Sequence, residues 1–338
     1  MISSKCFIIA EAGVNHNGNI NIAKMLIDAA VEAGVDAIKF QTFKADGLVT
    51  KKAPKAEYQK ETTGSGNQYE MLKKLELSME EHLTLKEYCH KKGILFISTP
   101  FDFESVDLLE KLNMPLYKIS SGDLTNIPLL KYIAKKNKPI ILSTGMANLG
   151  EVEDAVECIR NISNSELTLL HCTSNYPTNY KDVNLNAMIT LKNAFKLEVG
   201  YSDHTLGIEI PIAAVAMGAK VIEKHFTLDR YMEGPDHESS LEPEELKEMV
   251  KSIRNIENAF GDGMKKCNKN EEKSKLVSRK SIVAKRAIQI GEIIRKDMLD
   301  FKRPANGIEP KWVDDIIGKK AICPIEKDVC IEWRKIGD

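Results

Sequence analysis

Residues 197–226 read LEVGYSDHTLGIEIPIAAVAMGAKVIEKHF. Two β-prone runs, LEVGY (197–201) and KVIEKHF (220–226), flank an apolar, helix-like segment. That is a strand, a crossover and a second strand, the unit of a parallel sheet. The unit recurs. FIIA (7–10), VDAIKFQ (35–41), ILFIS (94–98), LYKIS (116–120), PIILS (139–143) and LTLLHC (167–172) are each followed by a helix-like stretch, which makes eight runs. Most lie about 25 residues apart, the length of one strand, one helix and two short loops. The gap after the second run is about twice as long.

The helices between them carry their own stop signals. NIAKMLIDAAVEA (21–33) ends at Gly34 and EEHLTLKEYCHKK (80–92) at Gly93. PEELKEMVKSIRNIENAF (243–260) starts with a proline and an acidic first turn. Eight such units predict an α/β fold, a closed (β/α)8 TIM barrel. An open doubly wound sheet is the rival; no GxGxxG or Walker motif supports it. The barrel is expected over residues 1–262 and a linker over 263–278, where the chain turns polar and rich in Gly, Lys and Asn. From 279 to 338, short β-prone pieces such as SIVAK and CIEWR predict a small, mostly β domain.

Composition excludes several classes. The 338 residues carry 48 Lys+Arg against 49 Asp+Glu, so no basic nucleic-acid surface is expected. Aromatics are only 6% and do not interleave with basic residues, so base stacking is not suggested. Seven scattered cysteines without a CxxC point to a reduced, cytoplasmic protein. The N-terminal MISSKCFIIAEAG has too short an apolar stretch for a signal peptide, and IPIAAVAMGA (210–219) is too short to span a bilayer.

Placement of polar residues carries the chemistry. In a barrel, polar side chains at the C-terminal ends of strands mark the active face. Glu11 ends the first run, and Lys39 and Gln41 share one face of the second. Ser98 and Thr99 end the third; Lys118, Ser120, Ser121 and Asp123 close the fourth. Ser143 and Thr144 end the fifth. His171, Cys172, Thr173 and Ser174 end the sixth, and Ser202, Asp203 and His204 follow the seventh. Glu223 and His225 share a face of the eighth, with Lys224 between them. His204 and His225 at adjacent strand ends suit one divalent ion with mixed imidazole, oxygen and water ligation; the plainer alternative is two hydrogen-bonded structural histidines. His82 and His90 sit among charged helix neighbours and read as surface. Lys39 and Lys118, on strands, need anions. Either Glu11, Asp123 or Glu223 pairs with them internally, or they bind a phosphate or carboxylate ligand. A Schiff-base lysine also remains open.

The stretches IIAEAGVNHNG (8–18), KFQTF (39–43), STPFD (98–102), KISSGD (118–123), ILSTGM (141–146), HCTSNYPT (171–178), GYSDHT (200–205), EKHFTLD (223–229), GPDH (234–237) and KRPANGI (302–308) resemble the sialic acid synthase family over essentially the whole chain. The resemblance implies a TIM barrel followed by an antifreeze-like SAF (β-clip) domain, working as a domain-swapped homodimer. The implied reaction joins phosphoenolpyruvate to an open-chain N-acylated mannose-type sugar, with release of phosphate and formation of a 2-keto acid. The leading expectation is N-acetylmannosamine as acceptor, giving N-acetylneuraminate; the alternative is 2,4-diacetamido-2,4,6-trideoxymannose, giving legionaminate. The implied cofactor is Mn2+, with Mg2+ or Co2+ possible, on His204 and His225. Catalytic roles fall to Glu11, Glu223, Lys39 and Lys118. Substrate contacts fall to Gln41, Asn67, Thr99, Ser121, Asp123, Ser143, Ser174, Tyr176, Ser202 and Asp236, with Arg303 reaching into the partner's barrel. Some members carry Asn two residues before the tyrosine, where this chain has Ser174.

Overall fold

A computed structural model describes residues 5–338. Met1–Ser4, the start of the stretch read for a signal sequence, lies outside the described residues. Eight strands form one sheet: β1 (Phe7–Gly13), β2 (Ala37–Thr42), β3 (Leu95–Pro100), β4 (Tyr117–Ile119), β5 (Ile140–Ser143), β6 (Leu167–Cys172), β7 (Glu198–Asp203) and β8 (Val221–His225). Each coincides with one of the eight β-prone runs. All recorded pairings are parallel, and β1 pairs with both β2 and β8, so the strands run around a ring in chain order. β3 and β4 lie side by side and complete it.

The strands are buried on both faces, as parallel strands under a coat of helices must be. Ile8, Ile38, Ile97, Leu142, Leu169 and Ile222 sit in one continuous core with Leu26, Ile27, Leu85 and Met249 from the helices. Ile20–Ala33 and Met79–Lys92 end at Gly34 and Gly93, and Pro243–Ala259 starts at its proline, as the sequence predicts.

Two expectations need correction, and one stretch that the sequence left unassigned takes shape. The long stretch after β2 holds three short helices, Ala45–Leu48, Glu57–Thr63 and Gln68–Lys73, over a satellite core of Val14, Phe43, Met71 and Leu75. His82 is fully buried rather than on the surface. Its Nε2 meets Thr42 Oγ1 at 2.7 Å and its Nδ1 meets the Ser78 carbonyl at 2.8 Å. Two partners satisfy both ring nitrogens, which lets a polar ring sit inside. Finally, the segment read as a linker contains a helix, Lys269–Ser278, whose Asn268 caps the first turn in a reciprocal box with Glu271.

The chain divides into two units, residues 1–260 and 261–338. The second has its own core of Ile282, Ile288, Ile294, Met298, Ile316 and Ile331. It carries two small antiparallel pairs, β9 (Ser281–Ala284) with β10 (Leu299–Lys302) and β11 (Lys320–Ala321) with β12 (Ile336–Gly337).

Candidate active site

Strand register assembles the site at the C-terminal ends of the barrel strands. Glu11 stands opposite Lys39 across β1–β2, Gln41 opposite Thr99 across β2–β3, and Ser202 opposite Glu223 across β7–β8. The register of β1 slips between Glu11 and Gly13, a bulge of the kind that re-aims side chains beside sites. Four buried charges then alternate in sign. Glu11 Oε2 lies 2.8 Å from Lys39 Nζ, Lys39 Nζ lies 3.6 Å from Glu223 Oε2, and Glu223 Oε1 lies 3.3 Å from Lys118 Nζ. An unpaired charge in this setting costs several kcal/mol; alternation gives every charge an opposite neighbour.

Hydroxyls and an amide complete the network. Lys39 donates to Thr99 Oγ1 (2.9 Å), Lys118 to Ser143 Oγ (2.8 Å), Ser202 Oγ to Glu223 Oε1 (2.9 Å) and Gln41 Nε2 to Glu11 Oε1 (3.1 Å). Both lysines therefore do make the internal ion pairs that the sequence left as one alternative, with Glu11 and Glu223. Asp123 is not among the partners. Its carboxylate accepts from Ser120 Oγ and Asn126 Nδ2 within its own turn.

The environment separates the two glutamates. Burial pushes the Glu11 carboxyl up to about 7, against the pull of Lys39. Burial acts on Glu223 in the same sense, but Lys118 and Lys39 together outweigh it and hold that carboxyl below its ordinary range. Burial works against the Lys39 ammonium, yet Glu11 and Glu223 raise its pKa; for Lys118 burial prevails and lowers it. Such a pair has one firmly ionised carboxylate and one that exchanges a proton near neutrality.

Beside this chain lie the two histidines, their ring centroids 5.4 Å apart. His204 Nδ1 donates to the Thr173 carbonyl at 2.8 Å, so only Nε2 could ligate a cation, and only in the neutral ring; burial favours that form, while Cys172 beside it raises the ring's pKa. Sequence reading missed Thr173 in this role, because the partner is a backbone oxygen. His225 Nδ1 is buried with no hydrogen-bond partner. Burial keeps that imidazole neutral, the form that ligates metal. Two imidazoles this close at adjacent strand ends would suit one divalent cation. Among the described residues, no group of three or more His, Cys, Asp or Glu is arranged around a metal position; the remaining positions would fall to water and substrate oxygens.

Other expected residues surround these. The Tyr176 ring packs 4.1 Å from His204 and 5.9 Å from His225, centroid to centroid. Asp236 Oδ2 lies 3.9 Å from His225 Nδ1, and burial pushes its carboxyl up to about 6. Ser121 Oγ accepts from the Gly145 N–H at 2.9 Å. A Cβ at Gly145 would stand 2.3 Å from Ser174 Oγ and 2.8 Å from Ser121 Oγ, so only glycine lets these hydroxyls approach. Asn67 caps the helix Gln68–Lys73, accepting from Glu70 N–H at 2.8 Å. Arg303 is an exposed residue of the second unit. His171 Nε2 donates to the Val183 carbonyl oxygen at 2.7 Å. No described helix is long and apolar enough to cross a membrane.

N,N'-diacetyllegionaminic acid synthase of Campylobacter jejuni subsp. jejuni serotype O:2 is 54% identical over 97% of this chain and 99% of its own length. The protein of the same name from Legionella pneumophila subsp. pneumophila is 50% identical over 99% of this chain and 95% of its own. A crystal structure of N-acetylneuraminic acid (sialic acid) synthetase from Leptospira borgpetersenii serovar Hardjo-bovis, in complex with citrate, superposes with a TM-score of 0.70 at 40% identity, covering 80% of this chain and 90% of that one. Residues 279–336 match the SAF domain. With residues 26–265 matching the NeuB family as well, the chain belongs to that family, the sialic acid synthases whose motifs its sequence resembles.

Proposed function

We propose that this protein condenses phosphoenolpyruvate with 2,4-diacetamido-2,4,6-trideoxymannose to form N,N'-diacetyllegionaminic acid and phosphate. One observation carries the choice of sugar: 54% and 50% identity to two proteins named for that product, against 40% to the sialic acid synthetase. N-Acetylmannosamine, the leading expectation from the motifs, becomes the second reading on the same comparison.

The chain's own residues divide the work. Lys39 and Lys118, with Thr99, Ser121, Ser143 and Ser202, hold the carboxylate and phosphate of phosphoenolpyruvate and fix its C3 toward the aldehyde. Tyr176, Gln41 and Asp236 line the side where the open-chain sugar lies. A divalent ion on His204 and His225, Mn2+ by family resemblance, supplies Lewis-acid polarisation of the aldehyde oxygen when bound. C3 bonds to the aldehyde carbon, and water adds at C2. The C2–O bond to phosphate then breaks, leaving the ketone. The adding water gives up two protons: the second, lost from the C2 hydroxyl as the ketone forms, goes to the departing phosphate, and the first reaches the aldehyde oxygen. Glu11, poised near neutrality, carries it; Glu223 stays ionised and keeps both ammoniums in place.

The test is a side-by-side assay with phosphoenolpyruvate, Mn2+ and each sugar, reading phosphate and 2-keto acid. The diacetamido sugar should show at least tenfold higher kcat/KM. A preference for N-acetylmannosamine would reverse the order of the two readings, and no turnover with either would overturn both.

A further inference from the structure

The chain between β8 and the helix Pro243–Ala259 leaves the barrel and returns to the same point. Leu241 N–H donates to the His225 carbonyl and Thr227 N–H to the Leu241 carbonyl, both at 2.9 Å. Residues 227–240 therefore form a closed loop standing on the end of β8. Holding such a loop in one shape costs conformational entropy, which contacts along it must offset. Asp236, within it, reaches back into the reacting centre. Its Oδ2 lies 3.9 Å from His225 Nδ1. A Cβ at Gly13, where φ is 53°, would stand 3.2 Å from Gln41 Nε2, 3.3 Å from Glu11 Oε1 and 3.6 Å from Asp236 Oδ2. Those three side chains converge over the bare backbone of Gly13, so the loop's carboxyl stands beside groups supplied by β1 and β2.

Asn15, two residues beyond Gly13, ties this loop down. It is fully buried. Its Nδ2 donates to the Phe226 carbonyl at 2.9 Å and to Ser240 Oγ at 3.0 Å. Phe226 precedes the loop, next to His225, and Ser240 ends it. Ser240 Oγ in turn donates to the Asp236 carbonyl at 2.6 Å. The hydrogens allow one arrangement. The amide nitrogen has two, and both are used; the Ser240 hydroxyl has one, and a carbonyl can only accept it. Turning the Asn15 amide over would set its oxygen against the Phe226 carbonyl oxygen. Phe226 N–H itself donates to the Glu11 carbonyl at 3.0 Å, which joins the anchor to β1. Further out, Asn17 Nδ2 donates to the Glu233 carbonyl at 2.9 Å, and Asn17 Oδ1 lies 3.2 Å from His237 Nε2. Of the two asparagines, Asn15 is the one whose tie ends on Asp236.

We infer that Asn15 is a positioning residue for the acceptor sugar: through Ser240 it holds Asp236 at its place beside His225, Gln41 and Glu11. This rests on the proposed placement of the sugar beside Tyr176, Gln41 and Asp236. Lys118 and Ser143, assigned to phosphoenolpyruvate in the same proposal, come from β4 and β5 and bond to each other, outside this tie. Loosening the loop should therefore act on one substrate and spare the other.

Two variants test it. Ser240→Ala removes one hydroxyl and little volume, so it spares the fold. Asn15→Asp keeps the shape and replaces the donating nitrogen with an oxygen. Both full-length proteins are assayed at steady state with phosphoenolpyruvate, Mn2+ and the sugar that the wild type turns over faster. The KM for the sugar should rise about three- to fivefold in Ser240→Ala and about tenfold or more in Asn15→Asp. The KM for phosphoenolpyruvate should stay within twofold of wild type in both. A loss of stability alone lowers the amount of active enzyme, hence the apparent kcat, and leaves both KM values in place; the split between them reports position. A sugar KM within twofold of wild type in Ser240→Ala would overturn the assignment, as would a parallel rise of both KM values in either variant. If wild type turns over neither sugar, the proposed function itself falls, and the role of Asn15 with it. Wild-type turnover beside an unmoved Ser240→Ala removes the positioning role alone.

Discussion

Glu11 and Glu223 are the same residue type, both buried at one barrel mouth, yet their surroundings move their proton affinities apart. Two ammoniums press on Glu223 and one on Glu11, and that difference separates their proton affinities. If Glu11 accepts the proton from water, its ionised form is the active one. kcat/KM should then rise with pH through about 7, and Glu11→Gln should abolish that limb and lower kcat by about a hundredfold or more. A pH–rate profile of both proteins checks this. For the metal, His225→Ala should lose Mn2+ binding by calorimetry together with turnover, while the melting temperature stays near that of wild type. Retained Mn2+ affinity would remove His225 from the ligand set. At this scale the sequence was informative about identity and placement. Strand-end polar residues announced nearly the whole site, because a barrel sends alternate strand side chains to known faces. It was silent on partners such as the Thr173 carbonyl, since a backbone oxygen leaves no residue-type signal.

Between elements, the junction of β7 and β8 carries a second ion pair. Lys224 Nζ lies 2.6 Å from Asp203 Oδ2, and both side chains are fully buried. Asp203 also accepts from the Thr205 N–H and hydroxyl, both at 3.0 Å. Lys224 alternates with Glu223 and His225, so it faces away from the reacting groups and holds the loop that presents His204. Lys224→Met strands a buried carboxylate and should cost about 3–5 kcal/mol in urea unfolding. Replacing both partners, as in Lys224→Met with Asp203→Leu, should recover much of that loss. Strands and their spacing were legible because a buried parallel strand is a nearly unbroken β-branched and apolar run. Short helices in the β2–β3 excursion were not, since four to seven residues cannot display a helical period. His82 misled for a related reason: its helix neighbours are charged, and of the two oxygens that permit its burial one is the hydroxyl of Thr42 on β2 and the other the carbonyl of Ser78, which caps its own helix.

For the whole molecule, the question is how the second unit contributes. Family resemblance assigns Arg303 to the sugar site of a partner chain. On that basis Arg303→Ala should raise the KM for the sugar at least tenfold. Mixing Arg303→Ala chains with Lys118→Ala chains should restore activity, because one composite site then holds both intact residues. Absence of recovery, after exchange of subunits is verified by mass, would place Arg303 in its own chain's chemistry or outside it. The sequence by itself determined the eight-unit barrel, the small C-terminal unit, the family and the residue types at each strand end. These follow from local periodicity and from contiguous motifs. Tertiary structure alone decided that the two lysines and two glutamates alternate as one chain of charge, and that Asp123 serves its own turn. Those are relations among residues far apart in sequence. Their distances are set by barrel closure and strand register, which no local pattern encodes.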